Sequence, residues 1–127
     1  MDACCLNIGG EKMDLEFIRG DTQILKLQIK DQDENVLKLV EDDELYFTVK
    51  QNANSEDVLL QKTLKNGGIV LKEDNFYYIT LKSEDTSNLN YGTYTYDIEV
   101  KSNDFVKTLI LATITLTEEV TWKGDEV

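Results

Sequence analysis

The chain predicts an all-β sandwich, and three observations predict it. Apolar and polar residues alternate over several stretches, the mark of strands with one buried and one wet face. Turn signals separate those stretches at the spacing a sandwich requires. Helical patterning is confined to a turn or two near Ser83. The 127 residues suit one domain with a real core. The chain shows no internal repeat, no low-complexity segment and no second domain.

Residues 1–12 read as an N-terminal arm, 13–118 as the sandwich and 119–127 as a C-terminal tail. In the arm Cys4, Cys5, Leu6 and Ile8 are apolar, but Gly9-Gly10 separates them from the first strand of the sandwich. The segment is expected to order, if at all, against a neighbouring subunit. Met13, Leu15 and Phe17 alternate with Asp14 and Glu16 as a first strand, and Arg19-Gly20-Asp21 turns the chain. Residues 22–31 form a long strand, with Leu25, Leu27 and Ile29 on one face and Lys26, Gln28 and Lys30 on the other. A polar turn leads to an extended piece at 36–39. Leu45, Phe47 and Val49 face inward on the strand 44–50. Gln61 and Lys62 mark 58–64 as an edge strand. Asn66-Gly67-Gly68 turns into an extended 69–72, and Glu73-Asp74-Asn75 turns into 76–82. Ser83 is the expected cap of one helical turn within 83–89. The strand 93–101, a hairpin turn at Ser102-Asn103-Asp104 and a last strand at 105–117 complete the sandwich.

The segment from Ser83 to Val100 organises the rest. Asn90 and Gly92 suit a turn, because both tolerate backbone angles that other residues resist. Beyond it Tyr94, Tyr96, Ile98 and Val100 share one face, and Thr93, Thr95, Asp97, Glu99 and Lys101 the other. A tyrosine just inside a strand, after Leu89-x-x-Gly92, resembles the tyrosine corner of immunoglobulin-like sandwiches. There the hydroxyl bonds back to the backbone of the preceding crossing. Four ordinary core side chains would give the same alternation, so both readings stand at this point. The expected architecture is an immunoglobulin-like Greek-key β-sandwich of about eight or nine strands, with Leu89, Gly92 and Tyr94 as its structural corner.

Composition excludes several function classes. Thirteen basic residues against 25 acidic ones give a formal charge of −12, which repels phosphate backbones and anionic lipid alike. Histidine is absent, and with it the commonest general base and zinc ligand. Cys4 and Cys5 are adjacent and would close no useful loop, so no disulfide is expected and a reducing compartment fits. No basic segment followed by an apolar one opens the sequence, so no signal peptide is expected, and no apolar run reaches membrane-spanning length. There is no phosphate-binding glycine loop and no serine elbow. Neither catalytic residues nor a cofactor are expected.

Three further patterns have a sharp and a bland reading. Arg19-Gly20-Asp21 is an integrin-recognition tripeptide in some extracellular proteins, but here Gly20 suffices to explain it as a turn. Asp31-x-Asp33-x-Asn35 with Asp42 resembles the start of a calcium loop. Val36 stands where the loop needs glycine and Asp42 where it prefers glutamate, so a solvated turn is the better reading. A weak calcium site built from Asp31, Asp33 or Glu41-Asp42-Asp43 is the alternative. Tyr77, Tyr78, Tyr91 and Trp122 either fill the core and cover edges or form an aromatic patch for sugar or protein. Trp122 sits in a polar tail and wants an apolar partner. With Leu6 and Ile8 it forms the set of expected partner contacts.

The order of these motifs resembles a family of small immunoglobulin-like structural proteins of tailed bacteriophages and prophages. The family includes modules similar to the N-terminal domain of the baseplate upper protein. The resemblance spans about Met13 to Thr121. It rests on Arg19-Gly20-Asp21-Thr22 together with Leu89-x-x-Gly92-x-Tyr94-x-Tyr96-Asp97-Ile98. Glu34-Asn35 departs from the aspartate-glycine the family pattern leads one to expect. The resemblance implies a non-enzymatic virion component of tail, baseplate or head, synthesised in the bacterial cytoplasm. Its implied partners are other virion proteins and itself, with no nucleic acid, membrane or small-molecule substrate. The competing class is a free-standing sandwich that binds carbohydrate or a cell-surface protein.

Overall fold

The computed structural model describes residues 3–7, 14–31, 33–40, 42–103 and 105–118. They form two five-stranded sheets packed face to face. The strands are β1 (Ala3–Asn7), β2 (Leu15–Ile18), β3 (Gln23–Asp31), β4 (Val36–Leu37), β5 (Glu44–Lys50), β6 (Val58–Thr63), β7 (Ile69–Leu71), β8 (Tyr77–Leu81), β9 (Gly92–Ser102) and β10 (Phe105–Thr117). A helical turn, α1 (Ser83–Ser87), lies between β8 and β9. The first sheet runs β1-β3-β8-β7, with β4 also paired to β3; the second runs β2-β10-β9-β5-β6. Among the described residues every pairing is antiparallel except β2 with β10. This is the strand order of an immunoglobulin-like sandwich, with β6 in the additional place beside β5.

The period-two pattern explains the core. Leu25, Leu27 and Ile29 of β3 and Ile79 and Leu81 of β8 point inward from the first sheet. Leu45, Phe47 and Val49 of β5 meet them from the second, with Tyr94, Tyr96, Ile98 and Val100 of β9. The Phe47 and Tyr96 rings pack tilted at 5.5 Å between centroids, within the favourable range for an aromatic pair. Burial pushes the Tyr96 hydroxyl up to about 12.

The structure differs from expectation at three places. The described residues hold ten strands, because five residues of the arm form β1. Ala3, Leu6 and Asn7 stand opposite Asp31, Ile29 and Gln28 of β3 in the same chain, so this stretch pairs with its own sandwich. The extended piece at 36–39 shortens to two paired residues, and the Leu39 N–H instead donates to the Tyr77 hydroxyl at 2.8 Å. The helical turn is capped from Lys82, not Ser83. The Asp85 carboxylate reaches back to accept the Lys82 N–H at 2.7 Å. The same Asp85 meets Lys62 Nζ at 2.8 Å, tying α1 to the edge strand β6.

Glu44 is a buried carboxylate that alternation does not reveal. Its Oε1 accepts the N–H groups of Leu45 and Leu64 at 2.9 Å and of Lys65 at 3.2 Å. It thereby closes the turn after β6, where the Leu64 N–H is shared with the Leu45 carbonyl at 3.2 Å. Glu44→Ala should remove the carboxylate acceptor from these donors and cost about 2 kcal/mol. Urea denaturation checks it: the midpoint should fall with the slope unchanged. Glu44→Gln keeps an acceptor and should cost less.

Candidate contact surface and the tyrosine corner

The turn after β2 carries the chain from the second sheet to the first. The α1 segment carries it back. Each passage leaves backbone groups that no ladder satisfies, and the two satisfy one another. Gly20, at φ +87°, turns its N–H onto the buried Thr86 hydroxyl at 2.8 Å. Arg19 Nη1 donates to the Leu89 carbonyl at 3.2 Å, and its guanidinium lies 4.4 Å over the Tyr91 ring. The Tyr94 hydroxyl donates to the Asn90 carbonyl at 2.7 Å, which is the tyrosine-corner bond. Gly92 opens β9 at φ +138°, opposite Leu116. A Cβ there would meet nothing within 4 Å, so the demand for glycine comes from the backbone angle alone. Arg19-Gly20-Asp21 is thus a docked turn, with its arginine engaged and its glycine buried. That geometry disfavours integrin-type display.

The outer face of the second sheet is the candidate contact surface. Between β9, β5 and β6 lies an open hollow of about 380 Å³, lined in part by Tyr46, Thr48, Lys50, Asp97, Glu99 and Lys101. Leu111 of β10 stands beside Asp97, itself opposite Thr48, and is 63% exposed. Gln61 Nε2 donates to Thr48 Oγ1 at 3.0 Å and firms the β6 side. Partial burial pushes the Asp97 carboxyl above its ordinary value of 3.8, and Lys50 pulls it back. The hollow pairs no nucleophile with a base. It offers what a protein contact uses: an exposed apolar side chain beside charges of both signs.

The other expected site residues are scattered. Tyr77 is buried in the core, where burial raises its hydroxyl and Leu39 supplies a donor. Tyr91 lies under Arg19, and Tyr78 stands on the outer face of the first sheet. They do not make one aromatic patch. Leu6 is placed in β1, but its side chain lies outside the described residues, as do Ile8 and Trp122. The Asp31 side chain and Glu41 also lie outside them, and with these the expected calcium-loop geometry. Among the described residues no group of three His, Cys, Asp or Glu is placed to hold a metal.

Tyr94→Phe should cost about 1 kcal/mol, the worth of one buried hydroxyl bond. Gly92→Val should cost about 1 kcal/mol or more through the positive φ. Chemical denaturation measures both, and neutrality of both would remove the corner as a stabilising feature. For Asp97 the sign runs toward acid. A carboxyl raised in the folded state binds its proton more tightly folded than unfolded, so its ionisation opposes folding as pH rises. Asp97→Asn should therefore melt higher than the parent at neutral pH. The gain should vanish as pH falls below 3.8, where both states are protonated.

No protein-family model and no curated protein matches the chain. Solved structures do. The Lin-41 filamin domain superposes with a TM-score of 0.51 at 12% identity, over 93% of this chain and all of that one. A marsupial T cell receptor superposes with a TM-score of 0.55 at 11% identity, over 94% of this chain and 54% of that one. At such identities the likeness shows the fold: an immunoglobulin-like β-sandwich.

Proposed function

We propose that this chain is a non-enzymatic structural component of a tailed-bacteriophage or prophage particle, present in many copies and acting through protein contacts. The observation that carries the reading is the combination of Arg19-Gly20-Asp21-Thr22 with Leu89-x-x-Gly92-x-Tyr94-x-Tyr96-Asp97-Ile98, on which the family resemblance rests. The two segments interlock through Arg19 and Leu89 and through Gly20 and Thr86, so they belong to one structural unit. The lack of histidine and the unarmed hollow on the second sheet support a role without catalysis. The charge of −12 supports protein partners over nucleic acid or membrane. The protein is made in the bacterial cytoplasm and resides in the particle, with other particle proteins and its own copies as partners. It takes no cofactor and no small-molecule substrate.

The second reading, a free-standing module for carbohydrate or a cell-surface protein, needs an aromatic platform. Tyr77 is buried in the core and Tyr91 lies under Arg19, so the aromatic rings gathered on one face reduce to Tyr78 with Phe76 on the first sheet, a narrow strip already engaged by Lys26, Lys72 and Asp74. Mass spectrometry of purified particles from a phage or induced prophage encoding the chain decides between them. The protein should be present in intact particles. Its absence from particles and assembly intermediates, with binding of a glycan or host receptor on its own, would replace the proposal by the second reading.

A further inference from the structure

The outer face of the first sheet has the opposite character to the rest of this acidic chain. Buried Leu25, Leu27 and Ile29 force Ile24, Lys26, Gln28 and Lys30 outward along β3. Tyr78 of β8 stands between Lys26 on one side and Val70 of β7 on the other. Lys72 Nζ lies 4.3 Å over the Tyr78 ring, and Lys26 Nζ lies 4.5 Å over Phe76 and 5.8 Å from Tyr78. Asp74 accepts the Tyr78 hydroxyl, which holds its carboxyl below the ordinary value and fixes the ring. The result is an ordered aromatic strip flanked by lysine ammonium groups, with Ile24 60% exposed beside it.

The opposite outer face, on the second sheet, carries Asp14, Glu16, Asp97 and Glu99 against Lys50 and Lys101. Its exposed apolar side chains are Leu111 of β10 and, lining the hollow, Val58 and Val106. One side of the sandwich is therefore cationic and the other net acidic, each with an exposed aliphatic side chain. We propose that the two outer faces are complementary halves of one self-contact, so that the cationic first sheet of one copy stacks on the acidic second sheet of the next. The occupant is a second copy because the chain itself supplies the matching charge. Polyanions such as nucleic acid meet the same lysines but also a net charge of −12. Two different faces make the contact heterologous, which generates rings or open stacks and not closed two-fold dimers. This suits a multi-copy component and rests on the particle reading for its biological setting, though not for its test.

Ionic strength sets the conditions. Very low salt lets the net charges of two copies repel at long range. At about 0.15 M the Debye length is about 8 Å, which screens that repulsion and leaves charge pairs within the contact. Sedimentation velocity over a concentration series at that ionic strength should show the wild-type chain assembling. Lys26→Glu with Lys72→Glu makes both faces acidic, and Glu16→Lys with Glu99→Lys makes both basic. Each double variant alone should self-associate about tenfold more weakly or not at all. Mixed, they should co-assemble in equal numbers as alternating stacks or rings, because the acidified first sheet meets the basic second sheet and the two unchanged faces meet as in the wild type. Circular dichroism verifies that both remain folded, and Lys26→Ala with Lys72→Ala serves if charge reversal unfolds the chain. A wild-type chain that stays monomeric overturns the proposal, as does assembly that survives the lysine substitutions or a mixture that remains two monomers. Particle mass spectrometry is independent of all these outcomes: a monomeric chain found in virions would sink this contact and leave the particle reading intact.

Discussion

A two-layer sandwich must move its chain between layers, and in this protein two such passages clasp each other. The turn at Arg19-Gly20 descends from the second sheet to the first, while the segment from Lys82 to Tyr91 climbs back. A passage of this kind cannot use ladder hydrogen bonds, and buried backbone groups without partners are costly. Thr86 answers Gly20, Arg19 answers Leu89, and Tyr94 answers Asn90. Each bond is worth about 1 kcal/mol in isolation. Their larger effect is on register. With both passages fixed at one end, β2 ends and β9 begins at set heights on either side of β10, and the inward faces of both sheets then coincide.

The core can therefore dispense with a cross-sheet disulfide. The chain's cysteines are Cys4 and Cys5, both in β1, and neither lies in β3 or β9. What joins the layers is close packing of aliphatic side chains around Phe47, Tyr77 and Tyr96, all fully buried. The tyrosines bring hydroxyls into that environment. Tyr77 uses its hydroxyl to accept the Leu39 N–H, thereby holding the strap between β4 and β5 against the first sheet.

How much was legible in the sequence is set by the same physics. Strand faces were legible because a period of two leaves little freedom once one face is buried: every inward residue expected on β3, β5 and β9 is buried. The corner was legible as a pattern, Leu89-x-x-Gly92-x-Tyr94, because glycine and tyrosine each have a specific task there. The role of Arg19 was not, since its partners Leu89 and Tyr91 lie about seventy positions away and no local signal links them. Glu44 and Thr86 were missed for a related reason. A buried polar side chain is defined by the donors it meets, and those come from other elements. The pairing of β1 was hidden by Gly9-Gly10, which ends local periodicity without preventing the residues before it from joining β3.

Outward positions are where the fold stops dictating sequence. A strand requires that they be compatible with water, and lysine, threonine and glutamate meet that requirement equally. Their sign is free to vary without disturbing the core. In a chain with 25 carboxylates and 13 basic groups, indifferent placement would make both outer faces acidic. Instead Lys26 and Lys72 gather around Tyr78 on one, with Lys30 farther along β3, and the carboxylates of β2 and β9 lie on the other. The arrangement contributes little to stability, because exposed charges and cation–π contacts are each worth about 1 kcal/mol or less. A pattern that the core does not need and that stability barely rewards is most simply explained by what the two faces touch.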